Sequence, residues 1–173
     1  VFSIFKSRSI WLVTNLFATI VAASVVGEFQ DIIAQLSILA VLMPIVASMG
    51  GTTGQQTLAV VVRSLATKEL NSRNALRMIG KEFMVGLCNG LLFAVMIGIA
   101  VRIWFPGQEM ISYIIALAML CNLTVASLAG ILIPLTINRL KIDPAIASGV
   151  FLIACTDSGG YFIFLGLAKL LLF

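Results

Sequence analysis

Hydrophobic and polar positions fall in long blocks rather than short alternations. Stretches without Lys, Arg, Asp or Glu cover residues 9–27, 32–62, 83–101 and 110–138, and a fifth, 144–168, is broken by Asp157 alone. A helix that crosses a bilayer needs about 20 mostly apolar residues. The pattern therefore predicts an all-α integral membrane protein with five transmembrane helices, over residues 9–27, 32–62, 83–105, 110–138 and 144–170, forming one membrane domain. Short polar breaks lie at 28–31, 106–109 and 138–144. The longest break, 63–82, reads as a polar helical connection, with Asn71 or Ser72 as a candidate cap.

Charge alternates between the breaks. Lys6, Arg8, Arg63, Lys68, Arg73, Arg77, Lys81, Arg139 and Lys141 share one side, which is nine of the eleven basic residues. Glu28, Asp31 and Glu109 share the other. The positive-inside rule predicts a cytoplasmic N-terminus and, with five spans, a C-terminus outside. Residues 1–8 mix apolar and basic positions, as the end of an interfacial or cytosolic helix would. The chain has no initiator Met, which suggests a piece of something longer.

Composition narrows the class. The 173 residues are 61% hydrophobic and 10% charged, and mean hydropathy is +1.14. A soluble domain carries about 25% charged residues, so a soluble domain and a disordered chain are both excluded. The net charge of +4 does not point to nucleic acid, because the basic residues belong to the loops of one membrane side. No His is present, which removes the usual proton shuttle. Cys88, Cys121 and Cys155 lie in apolar segments without a CxxC pair and read as buried small hydrophobes.

Asp157 stands in the middle of the fifth span. An acid at that depth costs at least about 2.5–3.5 kcal/mol on insertion scales. No Lys or Arg lies at the same depth in the sequence, so a structural hydrogen bond, a protonated acid or a cation from solution must satisfy it. Thr156, Ser158, Gly159 and Gly160 surround it with hydroxyls and a loosened backbone.

The second span carries a matching anomaly. Pro44 precedes Ser48, Gly50, Gly51, Thr52, Thr53, Gly54, Gln55 and Gln56, a polar and glycine-rich run inside an uncharged segment. Pro and Gly both weaken a helix, so the run predicts a broken or kinked helix that exposes carbonyls. Small residues also make helix-packing seams, but two adjacent Gln favour a pore lining. Oxygen ligands of this kind suit hard cations such as Mg²⁺. Both anomalies fall near the midplane, where transport sites tend to lie. One carboxylate is too little charge to strip a divalent ion, so a largely hydrated ion is expected.

Other small and polar residues suggest architecture. Gly86, Gly90, Ala94 and Gly98 form a small-residue stripe suited to helix contact. Asn89 and Asn122 are candidates to cross-link helices, and Pro134 to kink span 4. Asp143 before Pro144 reads as a helix N-cap that could also attract cations at the inner mouth.

Taken together, these residues resemble the membrane domain of the MgtE magnesium channels and transporters, and more distantly their eukaryotic solute-carrier relatives. The matching pieces are Met43-Pro44, the run Met49-Gly50-Gly51-Thr52-Thr53-Gly54-Gln55-Gln56, Val62-Arg63-Ser64-Leu65-Ala66, Asp143-Pro144-Ala145, Thr156-Asp157 and Gly160. The resemblance implies a homodimer in the cell (inner or plasma) membrane, with an ion path along the dimer axis built from spans 2 and 5. It implies that Asp157 engages hydrated Mg²⁺, the transported and bound ion. Gly51, Gln55, Ile153 and Gly160 would add carbonyls or nearby oxygens, and Asp143 would be a peripheral cation site. Ser48, Gly50, Thr52, Thr53, Gly54, Gln56 and Thr156 are expected to line the pore. The family commonly has Asn at the positions of Thr52 and Gln55. Its cytosolic N-domain and cystathionine-β-synthase-type pair are not encoded here.

The expected function is magnesium transport through a channel-like pathway, with no enzymatic activity. The alternatives are an ion-coupled carrier such as a Na⁺/Mg²⁺ exchanger, and a non-transport helical assembly module in which Asp157 only joins helices. An intramembrane enzyme is disfavoured, because one chain has no His and Asp157 is the only acid expected at depth.

Overall fold

The computed structural model describes residues 2–70 and 74–172. Among the described residues the regular elements are all helices: α1 (Phe2–Gly27), α2 (Gln30–Gln35), α3 (Ile38–Ala66), α4 (Ala75–Trp104), α5 (Glu109–Arg139) and α6 (Pro144–Leu172). All but α2 are long and apolar enough to cross a membrane.

The helix bounds depart from the block pattern at the second and third spans. The second span begins at Ile38, because residues 30–35 form the separate helix α2 and the chain leaves it through Leu36 at φ −132° and ψ 80°. Phe29 and Ile32 of this turn are buried in a core cluster with Leu39, Leu42 and Phe164, so tertiary packing rather than polarity sets the break. The third span begins at Ala75 and absorbs part of the expected connection. Asn71 and Ser72, the expected caps, lie outside the described residues. Asn74 occupies the described cap position and donates its Nδ2 to the Glu69 carbonyl at 2.7 Å.

Helix α5 is the centre of the bundle. Its buried residues run from Ile111 to Ile137 with helical spacing, and α3, α4 and α6 pack around it. Helix α1 lies against α6 and leaves Leu12, Leu16, Phe17 and Ile20 open. Helix α4 turns Leu91, Leu92, Val95, Met96 and Ile99 outward. Apolar side chains on an outer surface suit lipid contact. The expected stripe on α4 is a contact face with α5: a Cβ at Gly86 would lie 2.8 Å from Ser127 Cβ, and one at Gly90 2.9 Å from the Leu120 carbonyl.

Cysteine placement is a correction. Cys88 and Cys155 are exposed on the chain, Cys121 is half-buried, and all three are free thiols. A thiol is apolar enough to sit on an outer helix face in a membrane.

Candidate functional site

Helix α3 is unbroken from Ile38 to Ala66, although it contains Pro44, Gly50, Gly51 and Gly54. Of the expected broken or kinked helix, this corrects the break. Packing is one physical cause, since Gly50 and Gly54 are met by neighbours: a Cβ at Gly54 would lie 2.9 Å from Leu152 Cδ1 and 3.3 Å from the Ala126 carbonyl. Helix α6 is likewise continuous through Gly159 and Gly160. The carbonyls of Gly51, Gln55, Ile153 and Gly160 therefore sit within helical ladders.

The polar run divides over the faces of α3. Ser48, Thr52, Gln55 and Gln56 are exposed, and Gly51 is half-buried. Gly50, Thr53, Gly54 and Thr57 are covered within the chain. Ser48, Thr52 and Gln55 follow i, i+4, i+7 spacing and so share one face. Thr52 Oγ1 donates to the Ser48 carbonyl at 2.8 Å, leaving its lone pairs outward.

Helix α6 brings Asp157 to the same level. A Cβ at Gly51 would lie 3.8 Å from Thr156 Oγ1, which joins the two helices at the residue before the acid. Asp157 and Ile153 are half-buried, one helical turn apart on α6. Thr156 and Gly160 are buried. Thr156 Oγ1 reaches the Leu152 and Ile153 carbonyls at 3.0 and 3.2 Å, so its hydroxyl is used within α6. The structure thus sets Gly51 of α3 against Thr156 of α6, with Ser48, Thr52 and Gln55 exposed on α3 and Ile153 and Asp157 half-buried on α6. Gly50, Thr53, Gly54, Thr156 and Gly160 belong to the packing seams behind them.

Asp157 forms no ion pair among the described residues; the pair present is Arg102 with Glu109 at 2.8 Å, exposed at the end of α4 and start of α5. No three His, Cys, Asp or Glu side chains converge among the described residues. One chain therefore offers a single carboxylate beside neutral oxygens.

Asp143 lies apart, at the start of α6. Its Oδ1 accepts the Ala145 N–H at 2.9 Å, which is the expected capping bond. Asn122 cross-links helices as expected, donating its Nδ2 to the Val46 carbonyl at 2.7 Å.

Sequence reasoning missed one polar pair. Thr57 Oγ1 on α3 donates to Glu82 Oε2 on α4 at 2.9 Å. Glu82 also borders a cavity of about 370 Å³ lined by Ser64, Glu69, Arg77 and Lys81 among others. Residues 25 apart carry no local signal of such a contact.

Comparison with known proteins adds an independent line. The family model MgtE, described as a divalent cation transporter, matches residues 43–167. The magnesium transporter MgtE of Bacillus subtilis is 35% identical over 158 residues, covering 91% of this chain and 35% of that protein. The magnesium transporter MgtE of Enterococcus faecalis is 36% identical over 165 residues, covering 95% and 36%. That of Thermus thermophilus is 29% identical over 171 residues, covering 98% and 37%. The chain spans about a third of the length of these curated relatives.

Proposed function

The chain belongs to the MgtE family of divalent cation transporters, and on that premise we propose that it forms a passive transmembrane pathway for Mg²⁺. It is a multi-pass membrane protein with five helices able to span the bilayer. In this reading the N-terminus is cytoplasmic, and two copies meet so that α3 and α6 of each face a shared axis.

The observation that carries the reading is the open polar face of α3 beside Asp157. Ser48, Thr52 and Gln55 are exposed in the middle of a span, and although Thr52 donates within its own helix, lipid would leave the Gln55 amide unsatisfied. Water in a path between two copies satisfies it. The same arrangement gives Asp157 a hydrated cation as its partner, and a second copy doubles the acid. Mg²⁺ gives up water reluctantly, so hydroxyls and amides contact its water shell while Asp157 holds it by charge. Ile153 narrows the path one turn away. Asp143 acts as a peripheral site at the inner mouth. Influx is driven by concentration and by voltage, at about 2.3 kcal/mol per charge per 100 mV and twice that for a divalent ion.

The test is Mg²⁺ uptake into proteoliposomes by the native chain, Asp157→Ala and Asp157→Asn, without a Na⁺ or pH gradient. Uptake by the native chain that both variants abolish supports a passive path with a required carboxylate. Equal uptake in all three removes Asp157 from the mechanism. Uptake by the native chain only when a Na⁺ or pH gradient is imposed replaces the passive path with a coupled carrier.

A further inference from the structure

We propose that Asn122 is a positioning residue that fixes α3 against α6 at the level of Asp157 and thereby sets selectivity among divalent cations. The proposal rests on the reading of α3 and α6 as the walls of the ion path.

Asn122 lies on α5 and is 1% exposed. Its Nδ2 donates to the Val46 carbonyl of α3 at 2.7 Å. The same amide occupies the space where side chains would otherwise stand on both neighbours. A Cβ at Gly50 of α3 would collide with Nδ2 and lie 3.0 Å from Cγ. A Cβ at Gly160 of α6 would lie 3.2 Å from Nδ2 and 3.3 Å from Oδ1. One side chain of the central helix is therefore wedged against both walls at glycines.

Both contacts are close to the acid. Gly160 follows Asp157 within one helical turn. Gly50 adjoins Gly51, which faces Thr156, the neighbour of Asp157. A shift or rotation of α3 or α6 at this wedge moves Thr52 or Asp157 with it. The chemistry also separates Asn122 from a simple filler. Its Oδ1 is buried without a hydrogen-bond partner among the described residues, and an unpaired buried acceptor is unfavourable. An apolar residue would fill the same volume without that penalty. What it would lose is the directional bond to the Val46 carbonyl.

The experiment compares the native chain, Asn122→Ala, and the double variant Gly50→Ala/Asn122→Ala. The added methyl of the double variant refills part of the emptied volume and leaves the Val46 bond unmade. Mg²⁺ and Ca²⁺ uptake are measured in proteoliposomes, with helicity and elution volume as checks on folding. In parallel, spin labels at Ser48→Cys and native Cys155, with Cys88 and Cys121 replaced by Ser, report the α3–α6 distance in samples diluted with unlabelled chain. Asn122→Ala is expected to shift or broaden that distance and to lower the Mg²⁺:Ca²⁺ uptake ratio by about tenfold. The double variant is expected to keep the lowered ratio. An unchanged label distance in Asn122→Ala overturns the proposal, and so does a native ratio in the double variant. If the native chain carries neither ion, the transport reading fails, while the label distances still decide whether Asn122 positions the helices.

Discussion

Gly130 on α5 and Gly54 on α3 meet backbone to backbone: a Cβ at Gly130 would lie 2.6 Å from the Gly54 carbonyl oxygen and 2.8 Å from Thr57 Cβ. Membrane helices associate through packing of this kind, since lipid is as apolar as their side chains. Neither backbone can yield without separating the helices. Gly130→Ala is therefore expected to destabilise the fold by about 1–3 kcal/mol. Gly80 on α4 has nothing within 4 Å of a built Cβ, so Gly80→Ala should stabilise by about 0.5–1 kcal/mol through helix propensity. Thermal unfolding in detergent separates the two. Equal midpoints for both variants would remove close approach as the reason for Gly130.

Asp143 combines a structural bond with an expected electrostatic one. Its Oδ1 accepts the Ala145 N–H at the first turn of α6. Asp143→Ala loses this cap and should cost about 1 kcal/mol, whereas Asp143→Asn keeps the oxygen and the stability. The Asn variant lacks charge. A role in gathering cations predicts that it lowers Mg²⁺ uptake about twofold at low Mg²⁺ and low salt, with an unchanged melting midpoint. Native uptake by Asp143→Asn would leave the residue as a cap alone.

The five long helices were legible because bilayer thickness imposes a length and loop charge marks the breaks. The split between α2 and α3 was not, because residues 32–62 carry no charge and the break comes from burial of Phe29 and Ile32. The continuity of the glycine run is hidden from the sequence for a different reason. Helix penalties for Gly and Pro describe isolated helices in water, while here Asn122, Leu152 and Ala126 fill the positions beside Gly50 and Gly54. Adjacency along the chain also does not make one lining. Each step along a helix turns about 100°, so Thr53 and Gly54 face the seam while Thr52 and Gln55 face outward. The pairing of Thr57 with Glu82 depends on how α3 meets α4, and no periodicity contains that.

That division of α3 makes a prediction of its own. Gln55 is exposed, whereas Gly54 is covered by Leu152 and Ala126. Gln55→Ala should lower Mg²⁺ uptake several-fold, roughly what loss of one polar contact of about 1 kcal/mol implies, and leave the melting midpoint in place. Gly54→Ala should do the reverse in order, lowering the midpoint first by forcing Leu152 aside. Uptake and thermal unfolding on the same preparations give the comparison. A stability loss in Gln55→Ala as large as that in Gly54→Ala would put Gln55 in the packing seam and close the outward face as an ion contact.

The bond from Thr57 Oγ1 to Glu82 Oε2 joins α3 to α4 two residues after Gln55. Thr57 is 6% exposed, so its hydroxyl has little water to turn to if the carboxylate is removed. Thr57→Val and Glu82→Ala each break the bond, and the pair of variants together removes both ends. The bond should appear as a coupling of about 0.6–2 kcal/mol in a double-mutant cycle on unfolding free energy. Glu82→Gln keeps an acceptor oxygen and should lose less than Glu82→Ala. Additive single-variant costs would mean that Thr57 and Glu82 contribute independently, and that apolar and glycine packing rather than this bond holds α4 to the bundle.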